Sequence, residues 1–232
     1  MDIILHGPPG AGKGTQSDNI CAQLGIVAIS TGDLIRAEIK GKTDLGEQIK
    51  AYSNAGKLVP DELVMTILSK RLEQDDVSSG VLFDGFPRTT NQAKMLDEWL
   101  KSRGRKVDAV FSLEISDKES MFRCSYRLGC SDTVNCKKNV HIYYQRPTVM
   151  GRSEQDHTPI FQCPKCGKKL DMREDALPSK IQTRIDTYHA ETEPMLSKLK
   201  TDFSYQVFGI EGEHPIDAIK ENINTVIAEH LK

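Results

Sequence analysis

The amino-acid sequence predicts an α/β fold in which helices cover both faces of a parallel β-sheet. Short apolar runs alternate along the chain with longer segments in which apolar residues recur at every third or fourth position. A glycine-rich segment containing a lysine lies between the first apolar run and the first periodic segment. Alternating strands and helices form parallel sheets, because each crossover helix packs on a face of the sheet.

The predicted elements follow one another in a regular order. The apolar runs that we interpret as buried strands are residues 3–5, 26–29, 81–83, 107–115 and 205–210. Helical stripes occupy the segments between and after these runs, and their apolar members are Ile20 and Leu24; Leu63, Val64, Ile67, Leu68 and Leu72; Leu96, Trp99 and Leu100; Ile181, Ile185, Tyr188, Met195 and Leu199; and Ile216, Ile219, Ile223, Val226 and Ile227.

The alternation is interrupted once. From residue 126 to about residue 175, Cys, Lys, Asn, Gln and Pro cluster, and apolar patches such as residues 140–144 are short. A chain of 232 residues is long enough for one substantial core with one or two insertions. We therefore interpret this stretch as an inserted small domain.

Charge and hydropathy exclude several classes of partner. The chain has 31 Lys and Arg against 33 Asp and Glu, with a pI near 6.3. Such a balance creates no global basic field for nucleic acid or anionic lipid. The chain enters a strand at Asp2, and no apolar run approaches the roughly 20 residues that span a bilayer. We expect a cytoplasmic protein that binds neither nucleic acid nor membranes.

Residues 7–15 (GPPGAGKGT) follow the phosphate-binding pattern G-x-x-x-x-G-K-[ST] with one departure. Gly14 occupies the hydroxyl position and Thr15 comes one residue later, which is typical of nucleoside monophosphate kinases. Glycines let backbone N–H groups turn toward phosphate oxygens, and the following helix adds its positive N-terminus. The predicted ligands of the ATP phosphates are Gly10, Ala11, Gly12, Lys13, Gly14 and Thr15.

Four of the six cysteines form two pairs in the insertion. Cys163 and Cys166 stand in a C-x-x-C knuckle followed by glycine, whereas five residues separate Cys130 from Cys136. Two pairs of thiolates suit tetrahedral Zn²⁺, and a polar insertion of this size needs a metal to hold its fold. Alternative ligands are Asp132, His141 and Cys124.

Two other interpretations of the insertion stay open. The four thiols are incidental in the first. In the second, the insertion binds nucleic acid through its basic residues, although lysines are more often a solvated face. These residues are Lys137, Lys138, Lys165, Lys168 and Lys169.

Several motifs together resemble the adenylate kinase family from Met1 to the C-terminal helix. They are residues 30–38 (STGDLIRAE), residues 56–62 (GKLVPDE), residues 84–89 (DGFPRT) with Gln92, and Arg123, Arg127, Arg173 and Arg184 followed by Tyr188 and His189. The resemblance implies a P-loop kinase core with five parallel strands, formed by residues 1–29, 60–125 and 176–232. It further implies an AMP-binding insertion at residues 30–59 and a small zinc-ribbon-like lid at residues 126–175.

The resemblance also implies roles for individual residues. Lys13, Arg88, Arg123, Arg173 and Arg184 are implied to be catalytic, because phosphoryl transfer requires positive charge around the transferred group. Beyond the P-loop, the implied ATP contacts are Arg123, Arg127 and His141. The implied AMP contacts are Thr31, Arg36, Lys57, Leu58, Val59, Gly85, Phe86, Pro87, Arg88, Gln92, Arg173 and Arg184.

Some of these roles have a direct chemical reason. Asp84 ends a predicted strand beside the P-loop and is expected to hold Mg²⁺ through water, with Asp33 as the second candidate. Thr31 and Gln92 suit recognition of the AMP adenine, since an amide offers a donor and an acceptor to a purine edge. Arg123 and His141 suit stacking around the ATP adenine. Zinc binding and plain solvation are competing roles for His141.

Three functions are compatible with these patterns. The first is reversible transfer of a phosphoryl group from MgATP to AMP to give two ADP, by a monomer. The second is a related kinase for UMP, CMP or GMP, and the third is a P-loop ATPase or binding protein that uses a zinc ribbon for partners. Thr31, Gln92 and the long lid favour the first function, and a second nucleotide pocket has no place in the third.

Overall fold

The computed structural model of the chain describes residues 1–132, 136 and 138–231. Lys137 lies outside the described residues. The main sheet contains five parallel strands, which are β1 (Asp2–His6), β2 (Val27–Ser30), β3 (Val81–Asp84), β4 (Val107–Glu114) and β10 (Val207–Glu211). Their order across the sheet is β10-β4-β1-β3-β2. The predicted α/β class with five parallel strands is confirmed, with strand ends displaced by one or two residues.

Helices connect these strands and cover both faces of the sheet. They are α1 (Lys13–Leu24), α2 (Thr31–Gly41), α3 (Asp44–Asn54), α4 (Asp61–Leu72), α5 (Thr90–Lys101), α6 (Asp117–Ser125), α7 (Ile142–Gln145), α8 (Pro178–Thr187), α9 (Glu193–Thr201) and α10 (Ile216–His230). The predicted long stripe of residues 181–199 is divided by a π-helical turn, Tyr188–Thr192. Pro194 lies just after this turn, at the start of α9, and proline has no N–H to donate to the preceding turn of the helix.

The two faces of the sheet carry separate apolar clusters. Strand alternation directs Ile3 and Leu5 of β1 into one cluster with Ile223 of α10, and directs Ile4 into the other cluster with Phe83. His6, the last residue of β1, shares the parity of Ile4. This places a buried imidazole on the face that also carries Phe86.

The insertion forms a second sheet from β5 (Arg127–Cys130), β6 (Asn139–His141), β7 (Val149–Arg152), β8 (Pro159–Gln162) and β9 (Lys169–Met172). Its strands pair antiparallel in the order β6-β5-β9-β8-β7. Its buried apolar cluster is small: Leu128, Val140, Leu170 and three of the cysteines. Such a core contributes little burial energy by itself.

Candidate active site

The glycine-rich loop joins β1 to α1, in the order that the sequence predicts. Gly10 has φ +79°, and a Cβ at this residue would lie 3.2 Å from Cys124 Sγ and from the Ser120 carbonyl oxygen. Both the backbone conformation and the close neighbours therefore disfavour a residue with a side chain at this position. Helix α6 packs directly on the loop, and the Ser120 hydroxyl donates to the Pro9 carbonyl at 2.6 Å.

Lys13 lies at the first position of α1. Its ammonium group donates to the carbonyls of Gly7 at 2.7 Å and Pro8 at 3.0 Å. The pKa of Lys13 is lowered to about 8, mainly by burial; the charge of Asp84 opposes this shift, and the charges of Arg88 and Arg184 add to it. The loop thus holds a desolvated cation that gains from the arrival of an anion.

Asp84 and Arg88 flank the turn that follows β3. Leu5 of β1 pairs with Asp84, so this carboxyl lies beside the strand that leads into the P-loop. Burial raises the pKa of Asp84, although the charges of Lys13 and Arg88 oppose the shift. Arg88 Nε donates to the Gly85 carbonyl at 2.8 Å, and burial lowers the pKa of Arg88 to about 10.

Lys13, Arg88 and Arg184 line one cavity of about 60 Å³. The walls come from the P-loop, the turn after β3, α8 and the segment that contains Gly56 and Leu58. Three segments far apart in the sequence therefore direct cations to a common point. A phosphate group is the ligand that this charge and size suit, since guanidinium groups match phosphate oxygens in pairs.

Three predicted arginines converge on one carboxylate that the sequence analysis did not assign to the site. Arg173 donates to both oxygens of Asp175, at 2.8 and 2.9 Å, and Arg184 donates to Oδ2 at 3.1 Å. Arg127 lies 3.8 Å from the same oxygen. Burial alone would raise the pKa of Asp175, but the hydrogen bond from Arg173 and the three charges hold it well below its usual range.

The residues predicted to recognise the AMP base are already engaged within the protein. Thr31 is buried, and its hydroxyl donates to the Gly85 carbonyl at 3.1 Å. Gln92 Oε1 accepts from the Arg88 N–H at 2.8 Å, while Nε2 donates to Asp61 at 2.7 Å. These contacts leave Gln92 one further amide hydrogen and one lone pair, and its role toward adenine stays a prediction.

The remaining residues of the predicted AMP site occupy varied environments. Arg36 forms an ion pair with Asp33, the second magnesium candidate, and both side chains are about half exposed. The charge of Asp33 also raises the pKa of Asp84. Of the others, Phe86 and Val59 are buried, Leu58 is half-buried and Lys57 is exposed, and the Phe86–Pro87 peptide bond is cis.

The predicted adenine stack of Arg123 and His141 contains a third residue, Tyr144. The Tyr144 ring stacks on His141, with centroids 4.4 Å apart, and the Arg123 guanidinium carbon lies 5.8 Å from the centre of the same ring. Glu119 Oε1 accepts from the Tyr144 hydroxyl at 2.5 Å and from Arg123 Nε at 2.7 Å. A bound base must therefore share this space with Tyr144.

Cys130, Cys136, Cys163 and Cys166 form a candidate metal site, because their sulfur atoms all lie within 4.8 Å of one another. Four thiolates bound to zinc at about 2.3 Å stand roughly 3.8 Å apart, so the residues fit tetrahedral coordination. Burial raises the pKa of Cys163, but backbone hydrogen bonds from Lys165 and Cys166 outweigh it and lower the pKa to about 7. The alternative ligand Cys124 lies instead beside the P-loop.

Sequence reasoning missed residues that act through the predicted ones. Asp175 has no predicted role, and Asp61 is predicted only as a member of the motif at residues 56–62, although it accepts hydrogen bonds from Thr89, Asn91 and Gln92. His6 could have been singled out from the sequence, because it is a polar residue at the end of an apolar strand.

A P-loop on a five-stranded parallel sheet, with a second group of arginines facing the loop lysine, defines the class of P-loop phosphotransferases. A family model for adenylate kinase matches residues 5–203 of the chain. The chain belongs to the adenylate kinase family, as the motifs predicted.

Individual relatives extend over nearly the full chain. It is 38% identical over 229 residues to an adenylate kinase of Clostridium acetobutylicum, which covers 99% of this chain and 100% of the relative. An adenylate kinase of Archaeoglobus fulgidus is 39% identical over 230 residues, covering 97% of this chain and 100% of the relative. An adenylate kinase of Streptomyces coelicolor is 40% identical over 220 residues and covers 94% of each chain.

Proposed function

We infer that the chain catalyses reversible phosphoryl transfer from MgATP to AMP, giving two ADP. The cavity that Lys13, Arg88 and Arg184 share is the observation that carries this inference. It joins the P-loop, which suits the phosphates of the donor nucleotide, to the turn after β3, which suits those of an acceptor. A hydrolase needs a positioned water on the acceptor side and has no use for a second set of arginines there.

The chemistry requires alignment and charge rather than a covalent nucleophile. The transition state spreads negative charge over the oxygens of the transferred group, and cations already in place stabilise it without reorganisation. Lys13 and the loop N–H groups hold the donor phosphates, and Arg88 and Arg36 hold the acceptor phosphate. Arg123, Arg127, Arg173 and Arg184 surround the transferred group and exclude water from it.

Two metals have residues that fit them. Asp84, a half-buried carboxyl beside the P-loop strand, would hold Mg²⁺ through water, and Mg²⁺ neutralises charge on the ATP phosphates when bound. The four cysteines would hold one structural Zn²⁺, leaving it no open coordination position. Zinc would supply the insertion with the stability that its small apolar cluster lacks.

The location and partners of the protein form a separate part of the proposal. None of the helices in the described part of the chain has the length and apolar character to cross a membrane. We propose that the protein acts in the cytoplasm as a monomer on free nucleotides, with no nucleic-acid partner.

A coupled assay with each nucleoside monophosphate tests the function. With MgATP as donor, we expect kcat/KM for AMP to exceed the values for UMP, CMP and GMP by at least a hundredfold, because a site built for adenine leaves polar groups unpaired with other bases. Comparable rates with UMP would move the protein to the pyrimidine kinases. Hydrolysis of ATP at the same rate without any monophosphate would support an ATPase instead.

A further inference from the structure

His6 is a buried polar residue in the wall of the phosphate cavity, and the proposed mechanism gives it no role. It ends the apolar strand β1 directly before Gly7, is 1% exposed, and lines the cavity together with Lys13 and Arg88. Ile4 and Phe83, which share this face of the sheet, are apolar. A leucine would suit this position without any polar group to satisfy.

The imidazole is only partly satisfied. It forms a hydrogen bond with the Pro87 backbone, in the turn that carries Arg88. Its Nε2 atom is buried and has no hydrogen-bond partner among the described residues. An unpaired buried polar atom costs free energy that an apolar side chain would not. We therefore expect His6 Nε2 to form its hydrogen bond with a bound ligand.

The groups around His6 are mainly cationic or neutral. Lys13 faces it from α1, Arg88 from the turn after β3, Arg184 from α8, and Tyr188 from the π-helical turn, while Asp84 lies near Lys13 and Arg88. Burial lowers the pKa of His6 to about 3, and the charges of Lys13 and Arg88 contribute. The imidazole is therefore neutral in the free protein. A phosphate dianion in the same cavity would reverse the local potential and favour the imidazolium.

We propose that His6 is a further phosphate ligand of this site, donating from Nε2 to a phosphoryl oxygen held between Lys13 and Arg88. The inference rests on the proposed function, because it needs a nucleotide phosphate in the cavity. With the hydrogen bond to Pro87 kept, donation from Nε2 requires both ring nitrogens to carry hydrogen. Binding therefore takes up a proton from the buffer acid, and the ring becomes cationic as the phosphate arrives.

Two substitutions separate this role from a structural one. His6→Leu removes the donor and the unpaired atom, so we expect a higher melting temperature for the free protein together with at least a tenfold lower kcat/KM for AMP or ATP. The substrate whose KM rises identifies which phosphate His6 contacts, and a fall in kcat alone assigns it to the transferred group. His6→Gln retains an N–H donor and should recover part of the loss. His230→Leu, on the half-exposed histidine at the end of α10, is the matched control.

Proton uptake gives a readout that a packing role would not change. We would titrate AMP and, in separate runs, ATP into each protein at pH 7 by calorimetry, in two buffers of different ionisation enthalpy. With the nucleotide whose phosphate His6 contacts, wild type and His230→Leu should take up more protons per nucleotide bound than His6→Leu. Equal proton uptake with both nucleotides, or kcat/KM values of His6→Leu within twofold of wild type for both substrates, would overturn the proposal. Wild-type protein that binds AMP without phosphorylating it would instead contradict the proposed function, and the titration would still test His6.

Discussion

Replacing Asp175 with Asn tests whether one carboxylate organises the arginines of the candidate site. The substitution keeps the shape of the side chain but removes its charge, and it turns an N–H₂ group toward a guanidinium. Asp175 receives a two-pronged contact from Arg173, a hydrogen bond from Arg184 at 3.1 Å, and the charge of Arg127 at 3.8 Å. Without it, three cations remain close together with no anion between them.

The expected loss lies between that of a surface ion pair and that of a buried one. The Asp175 side chain is 28% exposed and that of Arg173 16%. Breaking a fully buried pair costs about 3–5 kcal/mol and a surface pair less than about 1 kcal/mol. We therefore expect a fall of about 2–4 kcal/mol in the free energy of unfolding at pH 7, or roughly 4–16 °C in melting temperature. Since an error of about 1 Å in position costs about a hundredfold in rate, kcat should fall by a similar factor.

The pH dependence has a defined sign. The pKa of Asp175 is lower in the folded protein than in the unfolded chain, so its contribution is complete above the unfolded pKa of about 3.9 and is lost as pH falls through the folded pKa. The difference in stability between wild type and Asp175→Asn should be constant from pH 8 to about 5 and shrink below about pH 4. Asp171→Asn is the control, because its pair with Lys169 is about half exposed. Equal losses in both variants would refute the organising role of Asp175.

Three further predictions test the loop, the turn and the metal site. Arg88→Ala should lower kcat at least about a hundredfold without unfolding the protein, and wild-type-like steady-state rates would remove Arg88 from the reacting groups. ATP binding to the free protein should weaken as pH rises past about 8, because Lys13 loses its proton there. This pH dependence should be absent in Lys13→Met. A wild-type dissociation constant that does not change from pH 7 to 9 would contradict the prediction. Cys163→Ser should release one zinc per chain and lower the melting temperature, whereas elemental analysis that finds no stoichiometric metal in wild-type protein purified without chelator would exclude the zinc site.

The main sheet could be predicted because its signals are local. Each parallel strand is a run of apolar residues, and Gly10, Gly12 and Lys13 lie within a few positions of the first run. The antiparallel sheet of the insertion could not be drawn from sequence in the same way, because strands such as Val149–Arg152 are short and exposed on both faces. Their pairing depends on the tertiary structure rather than on alternation.

Several of the hydrogen bonds and ion pairs within the site could not be predicted, because they join residues that are far apart in the sequence. The hydrogen bond between Gln92 and Asp61 joins residues 31 positions apart. The ion pair between Asp175 and Arg127 joins residues at the two ends of the insertion. A charged residue in a run such as residues 173–175 is usually solvated, so its sequence gives no sign that it binds three arginines. Tyr144 belongs to the same class, since its position against His141 depends on how α7 closes on α6.

The cations of the candidate site share one property that explains how they coexist without nucleotide. Lys13 donates to two loop carbonyls, Arg123 is paired with Glu119, and Asp175 holds the arginines that reach it. Each cation is therefore held on an acceptor of the protein itself, near the place where a phosphate is expected. Nucleotide binding exchanges these internal acceptors for phosphate oxygens, so the affinity is a difference between two sets of contacts rather than their sum. The competition with internal acceptors lowers the affinity for the bound nucleotides. Because the cations are already ordered, however, the site does not have to reorganise when the transition state forms. Lower ground-state affinity together with a preorganised transition-state site favours a high kcat.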